Sequence, residues 1–250
     1  MTQEFRKRLL EKNLLAGTIL TLASPELSEI LSTSGFDWIF LDLEHSALGV
    51  KDAQVLIQAG AGRVPYVVRV PANQEDWIKK CLDCGAAGIM VPQVKTAAEA
   101  GQAVSLCRYP PQGIRSVGIA RAQGYGQSFG DYVARANDEV AVIIQIEHVD
   151  AVNRIDDILD VPGIDAVFVG PYDLSASMGR TGQVTDSEVV GAIGRVTDSA
   201  LGRGITLGIF GADSGSVKPW IAAGYTLVAT GIDTQIFSKA ARLIATAVRS

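Results

Sequence analysis

An apolar run, Trp38-Ile39-Phe40-Leu41, ends abruptly in Asp42-Leu43-Glu44-His45, placing two carboxylates and an imidazole within a few residues. A strand needs apolar side chains only while it lies inside the sheet, so three ionisable groups packed against its exit suggest the mouth of a site where charge is useful. Three other apolar runs end in the same manner. Val67-Val68-Arg69-Val70 carries a guanidinium, Ile143-Ile144-Gln145-Ile146-Glu147 an amide and a carboxylate, and Val167-Phe168-Val169 leads into Gly170-Pro171-Tyr172-Asp173. A guanidinium in an apolar strand needs an anionic partner or an oxyanion to stabilise. Glu147 and Asp173 stand just past consecutive apolar runs, close enough to share one divalent ion. Hard cations such as Mg2+ or Mn2+ favour a few carboxylates together with water and substrate oxygens. Blander readings stay open: a solvated turn for Asp42 to His45, a helix-start carboxylate for Glu147, and a helix cap for Asp173.

The spacing of apolar residues indicates what must position these groups. Expected strands are Thr18 to Leu22, Trp38 to Asp42, Tyr66 to Val70, Gly88 to Val91, Val140 to Ile146, Ala166 to Val169, Thr206 to Ile209 and Leu227 to Ala229. Expected helices are Pro25 to Ser34, Val50 to Ala61, Gln74 to Cys84, Ala97 to Cys107, Val149 to Leu159, Ser187 to Leu201, Ser214 to Ala223 and Gln235 to Val248. Ser24-Pro25, Asn73 and Asp213 suit helix starts, and Gly35, Gly85 and Gly224 fall where helices should stop. Uniformly apolar strands separated by single helices are covered on both faces and run parallel. Eight such units in 250 residues predict the α/β class and a single closed (β/α)8 TIM barrel over residues 1–250. A doubly wound open sheet is the alternative, but no Gly-x-Gly-x-x-Gly follows the first strand. Catalytic groups in such barrels project from the carboxyl ends of the strands, where the charged groups above all fall. The long irregular stretch Tyr109 to Asp131 is expected to join the site. Phe5, Leu9 and Leu10, in a short amphipathic helix, are expected to plug the bottom of the barrel.

A net charge of −5 and the lack of a concentrated basic face argue against nucleic acid. No apolar stretch reaches membrane-spanning length, and residues 1–13 lack the apolar core of a signal peptide, so a cytoplasmic protein acting on small molecules is expected. Cys81 and Cys84 form a C-x-x-C near the end of an expected helix, whereas the redox motif begins one. No second pair completes a zinc site, and these thiols read as core.

In order and spacing the chain resembles the HpcH/HpaI family of class II pyruvate-dependent aldolases, related to 4-hydroxy-2-oxoheptanedioate aldolase and 2-dehydro-3-deoxyglucarate aldolase. The resemblance rests on Gly35-Phe36-Asp37-Trp38 leading to Asp42-Leu43-Glu44-His45, on Val68-Arg69, on Leu82-Asp83-Cys84-Gly85-Ala86 and on Val91-Pro92. It continues through Arg108-Tyr109-Pro110-Pro111-Gln112-Gly113-Ile114-Arg115, Arg121-Ala122, Gln145-Ile146-Glu147 and Gly170-Pro171-Tyr172-Asp173-Leu174-Ser175. The resemblance implies cleavage or formation of 4-hydroxy-2-oxo acids, with pyruvate or a related 2-oxo acid and an aldehyde as products. It also implies a divalent cation, Mg2+ or Mn2+ with Co2+ a third option, held by Glu147 and Asp173 and chelating the 2-oxo acid. Arg69 then stabilises the enolate oxygen, and His45, oriented by Asp42, acts as base through a water. Gln145 and Glu44 support these groups, Gly170, Pro171 and Asp173 border the substrate, whose carboxylate is received by backbone N–H groups near Asp173, and Asp83 reaches a neighbouring subunit's site. A homo-oligomer, a hexamer by the same resemblance, is implied, with the helix Gln235 to Val248 packed on a neighbour.

Two departures stand out. His148 follows Glu147 where a small hydroxyl residue is commoner, leaving it beside the cation or turned into the helix that begins there. Gly179-Arg180-Thr181-Gly182-Gln183-Val184 keeps the family's glycines without the His-Pro that often follows. Three rival readings are a Schiff-base aldolase using Lys95, an acyl-CoA thioester lyase on a related barrel, and a 2-oxo-acid-binding barrel without catalysis.

Overall fold

Alternating apolar runs and amphipathic helices close into the expected barrel in the computed structural model, which describes residues 2–249. The strands are β1 Leu15–Leu20, β2 Trp38–Asp42, β3 Tyr66–Arg69, β4 Gly88–Val91, β5 Ala141–Ile146, β6 Ala166–Val169, β7 Thr206–Gly211 and β8 Leu227–Ile232. Each pairs in parallel with its sequence neighbours, and β8 closes on β1. The helices are α1 Thr2–Leu10, α2 Pro25–Thr33, α3 Val50–Ala59, α4 Glu75–Asp83, α5 Ala97–Cys107, α6 Phe129–Glu139, α7 Val149–Asn153 and α8 Ile155–Leu159, then α9 Pro171–Ser177, α10 Ser187–Gly202, α11 Ser214–Ala222 and α12 Asp233–Ala247. A 3-10 turn spans Arg121–Gly126.

Side chains alternate across each strand, and this parity decides which polar groups enter the barrel. Leu15, Ile19, Trp38, Phe40, Val67, Ile143, Ala166 and Phe168 form the interior cluster. Asp42, Arg69 and Gln145 continue the same parity at the carboxyl ends of their strands, and Thr21, Glu147 and Gly170 do so one step beyond them. The β2–β3 register sets Asp42 directly opposite Arg69. Phe5 and Leu9 of α1 belong to the interior cluster at 2% and 0% exposure, so the amino-terminal helix is the expected plug, but Leu10 is 48% exposed and takes no part in it. The second core lies between strands and helices and includes Cys81, Cys84 and Cys107, all free and buried. Burial pushes their thiols up to about 12, 11 and 12, which suits packing rather than redox chemistry.

Boundaries differ where a tertiary contact outweighs the apolar pattern. β1 begins at Leu15, earlier than expected, because Leu15 and Ala16 pair with Leu227 and Val228 of β8. The stretch Val149 to Leu159 breaks at Arg154 into α7 and α8. α4 is N-capped by Gln74 rather than Asn73, whereas Ser24 and Asp213 cap α2 and α11 as expected. The stretch Tyr109 to Asp131 does not join the strand-exit cavity. It connects the end of α5 to β5 and therefore lies at the amino end of the barrel, where Arg115 bonds Asp83 and Arg121 bonds the Cys84 carbonyl. Its last residues begin α6, a helix the sequence pattern did not suggest. Among the described residues no helix is long and apolar enough to cross a membrane.

Candidate active site

The strand exits enclose a cavity of about 440 Å³ lined in part by Asp42, His45, Arg69, Gln145, Gly170, Pro171 and Asp173. Phe40 and Phe168 form its floor, with ring centroids 5.8 Å apart in an edge-on arrangement. Arg69 stands over Phe40, its guanidinium carbon 5.1 Å from the ring centroid, which fixes the plane of the fork. Its Nε donates to Asp42 Oδ1 at 2.9 Å and its Nη2 to Asp42 Oδ2 at 2.7 Å, a two-pronged pair held almost out of water. Asp42 Oδ1 also accepts the N–H groups of Glu44 and His45, so the carboxylate locks the loop beyond β2 as well as the guanidinium.

This arrangement corrects one expectation. No hydrogen bond joins Asp42 to the His45 imidazole among the described residues; Asp42 accepts instead from Arg69 and from two backbone N–H groups. The carboxylate beside His45 is instead Glu44, whose Oε2 lies 3.8 Å from His45 Nε2. The imidazole side chain is 59% exposed at the cavity mouth. His45 lies beyond the last residue of β2, outside the strict alternation that governs Asp42.

The Gln145 amide nitrogen Nε2 donates to Glu147 Oε2, and its Oε1 accepts from Arg69 Nη1 at 3.4 Å. Glu147, 1% exposed, stands behind the cavity wall rather than in its lining, as does Glu44, and it also accepts the Gln93 N–H on Oε1 at 2.8 Å. A Cβ on Gly170 would sit 2.9 Å from both Gln145 Nε2 and Glu147 Oε2, so the glycine leaves room for these two side chains. Asp173 lies in the first turn of α9, inside the helix rather than capping it, and lines the cavity.

The electrostatics follow from crowding. Burial raises the Glu44 carboxyl from 4.5 to about 7, with Asp42 and Asp173 adding repulsion against the pull of Arg69. Burial likewise raises Glu147 from 4.5 to about 7, with Glu44 and Asp173 again repelling it. Asp42 is the exception: burial pushes it up, but the Arg69 fork and the N–H groups of His45 and Glu44 outweigh burial and hold it below the ordinary value. Glu44 Oε2 is buried and 3.2 Å from Arg69 Nε, yet that N–H points at Asp42, so the oxygen accepts no hydrogen bond. Four carboxylates thus share one buried cation, and one carboxylate oxygen has no donor.

That donor set fits a divalent cation. Among the described residues no three His, Cys, Asp or Glu side chains form a ready metal cage. A hard cation nevertheless needs only one or two carboxylates when water and substrate oxygens complete its shell. The excess negative charge of these carboxylates is the feature such an ion offsets.

The remaining expected residues fall in different places. His148 caps α7, its Nδ1 accepting the Asp150 N–H at 3.1 Å, so it is turned into the helix rather than toward a cation. Asp83 ends α4 away from this chain's own cavity and accepts from Arg115 at 2.8 Å. Lys95 lies in the loop before α5, where its N–H joins Thr96 and Glu99 in a capping box, and it does not line the cavity. Sequence reasoning missed the opposite wall, formed by Ile19, Thr21, Phe210, Ile232 and Thr234. Only the strand parity of Ile19 and Thr21 signalled it.

Comparison with known proteins agrees with the geometry. The model of the HpcH/HpaI aldolase/citrate lyase family matches residues 16–240. A hydroxypyruvate/pyruvate aldolase from Cupriavidus necator is 39% identical over 98% of this chain and 92% of its own length. A 5-keto-4-deoxy-D-glucarate aldolase from Shigella dysenteriae is 34% identical over 97% of this chain and 95% of its own. The crystal structure of a family protein from Burkholderia cenocepacia superposes with a TM-score of 0.95 at 35% identity, covering 99% of this chain and all of that one. With a closed parallel barrel and a charged cavity at its strand exits, the chain belongs to the HpcH/HpaI aldolase/citrate lyase family and is a carbon–carbon lyase.

Proposed function

We propose that residues 1–250 act as one barrel domain, a metal-dependent aldolase that cleaves and forms 4-hydroxy-2-oxo acids, with pyruvate or a related 2-oxo acid and an aldehyde as products. The observation that carries this reading is Arg69, a guanidinium 7% exposed, fixed by Asp42 at the floor of a cavity whose other ionisable groups are mostly acidic. A buried cation fixed in this way is what a developing enolate oxygen requires. Glu147 and Asp173 are the residues that would hold the cation, with Gln145 steadying Glu147. A bound Mg2+ or Mn2+, with Co2+ as a third candidate, supplies Lewis-acid polarisation of the keto group.

In cleavage, the proton of the C4 hydroxyl passes to His45, through a water at the exposed mouth of the cavity. The electrons of the C3–C4 bond move into the C2 carbonyl as the aldehyde leaves, and the negative oxygen so formed faces Arg69. The proton taken up by His45, delivered to C3 through water, then gives the 2-oxo acid and returns the imidazole to its starting state. Gly170, Pro171 and Asp173 border the space for the substrate carboxylate, and Glu44 sets the charge beside Arg69 and His45. A homo-oligomer, a hexamer by resemblance, is consistent with Asp83 lying away from its own cavity and with Phe237, Leu243 and Ile244 exposed on α12. Three buried, unpaired thiols suit a cytoplasmic location.

A coupled assay of pyruvate release over a panel of 4-hydroxy-2-oxo acids tests the reading. Activity is expected to vanish with chelator and return with Mg2+ or Mn2+. It is expected to survive borohydride in the presence of pyruvate and the Lys95→Ala substitution, because Lys95 does not line the cavity. Borohydride trapping with loss of activity would replace the metal reading with a Schiff base.

Metal and proton should also compete for the same oxygens. Glu44 and Glu147 have folded values of about 7 against an ordinary 4.5, so the folded protein binds protons that the unfolded chain has lost. Their contribution to stability is present below the unfolded value and is lost as pH rises through about 7. Metal-free protein should therefore lose Tm from these groups across that window. Added Mn2+ should raise Tm more above it than below it. Thermal melts with and without Mn2+ on both sides of the window check this; a metal-induced shift independent of pH would contradict it.

A further inference from the structure

The cavity has two unlike halves. Asp42, His45, Arg69, Gln145 and Asp173 supply charge and amide groups on one side. The wall from β1, β7 and β8 consists of Ile19, Thr21, Phe210, Ile232 and Thr234, with no lysine or arginine among these residues. Beneath that wall is Asp233, a carboxylate 2% exposed. Its Oδ2 accepts the N–H groups of Thr21 and Leu22, both at 2.8 Å. Its Oδ1 accepts the Thr21 hydroxyl at 2.6 Å and the Thr234 N–H at 2.8 Å. No ion pair to Asp233 occurs among the described residues. Asp233 therefore ties the exit of β1 to the start of α12 and sets negative charge behind the wall.

These bonds also determine what the two threonines can offer. The Thr21 hydroxyl spends its hydrogen on Asp233, so only its lone pairs face the cavity and it can accept but not donate. The Thr234 hydroxyl has no partner among the described residues and can do either.

We propose that this half receives the acceptor aldehyde and selects an uncharged, hydroxylated one over one ending in a carboxylate. The assignment rests on the aldolase reading above and names its acceptor class. A carboxylate tail would give up water, find no lysine or arginine among the residues of this wall, and meet the lone pairs of Thr21 and the charge of Asp233. A neutral polyol aldehyde donates one hydroxyl to Thr21 and accepts from Thr234, while Ile19, Phe210 and Ile232 cover its carbons. Asp233 is a positioning residue here: it orients Thr21 and does not touch the acceptor.

The test uses the metal-loaded protein with pyruvate as donor. Exchange of the pyruvate methyl protons in D2O without aldehyde reads the donor half alone. Aldol addition is then compared for glyceraldehyde and for 2-hydroxy-3-oxopropanoate, which differ only in a terminal CH2OH against a carboxylate. Glyceraldehyde is expected to be favoured in kcat/KM by at least about tenfold. Thr21→Val should lower the preference for glyceraldehyde over propanal by about fivefold, and Thr21→Ser should restore it. Exchange accompanied by equal or better use of the carboxylate-bearing aldehyde overturns the acceptor assignment and leaves the aldolase reading intact. Exchange accompanied by a preference that Thr21→Val does not move overturns the role of Thr21 in it. Absence of exchange removes the aldolase reading and the assignment with it.

Discussion

Arg69→Ala is expected to lower kcat for aldol cleavage by about 10²- to 10³-fold, the usual effect of removing one donor from an oxyanion site. The side chain does two things, and the experiment must separate them. It faces the cavity, and it neutralises Asp42, which is 2% exposed and bonded to it at 2.9 and 2.7 Å. Removing one partner of a buried ion pair costs stability by about 3–5 kcal/mol, because the other charge remains buried without compensation. Asp42→Asn in the same chain removes that orphan charge while its amide oxygen still accepts from the Glu44 and His45 N–H groups. The double variant should therefore regain much of the lost Tm and none of the lost kcat. Arg69→Lys keeps the charge but cannot form the two-pronged bond, and it should fall between wild type and alanine. Recovery of kcat together with Tm in the double variant would reduce Arg69 to a structural role.

Gly170→Ala should weaken the divalent cation by about 10- to 100-fold, the usual cost of disturbing a group that supports a metal ligand. The added Cβ would meet Gln145 Nε2 and Glu147 Oε2 at 2.9 Å, so one or both side chains must move. Neither gives way freely: Gln145 is also bonded to Arg69 and Glu147 to the Gln93 N–H, and both are buried. The backbone at Gly170 is not in the left-handed region, so the effect comes from space alone. Titration with Mn2+, read by activity and by the rise in Tm, should give the weakened constant, with activity largely recovered at saturating metal. An unchanged constant would mean that Glu147 is not a ligand.

Much of this was legible in the chain because strand parity and strand exit are both one-dimensional. Asp42 follows Trp38 and Phe40 by steps of two, Arg69 follows Val67, and Gln145 follows Ile143, so each must point where its apolar predecessor points. What a side chain touches after it enters is not written in the spacing. Asp42 pairs with Arg69 because the β2–β3 register places them opposite each other, a fact about two strands that neither reveals alone. His45 stands past the end of β2, where the alternation has stopped. The stretch Tyr109 to Asp131 illustrates a different failure, since its length drew it toward the site although, with α6, it leads from a helix to a strand. In a βα barrel such connections open at the amino end of the strands, whereas the catalytic loops are those that follow strands. The β1, β7 and β8 wall was hidden because isoleucine, phenylalanine and threonine at a strand end look like ordinary strand residues.

The most direct measurement is proton exchange at the methyl group of pyruvate, followed by NMR in D2O with no aldehyde present. Wild-type protein with Mg2+ or Mn2+ should exchange those protons, chelator should stop the exchange, and Arg69→Ala should slow it in proportion to its loss of kcat. Metal-loaded protein that binds pyruvate yet leaves the methyl protons in place would contradict enolate formation at this cavity.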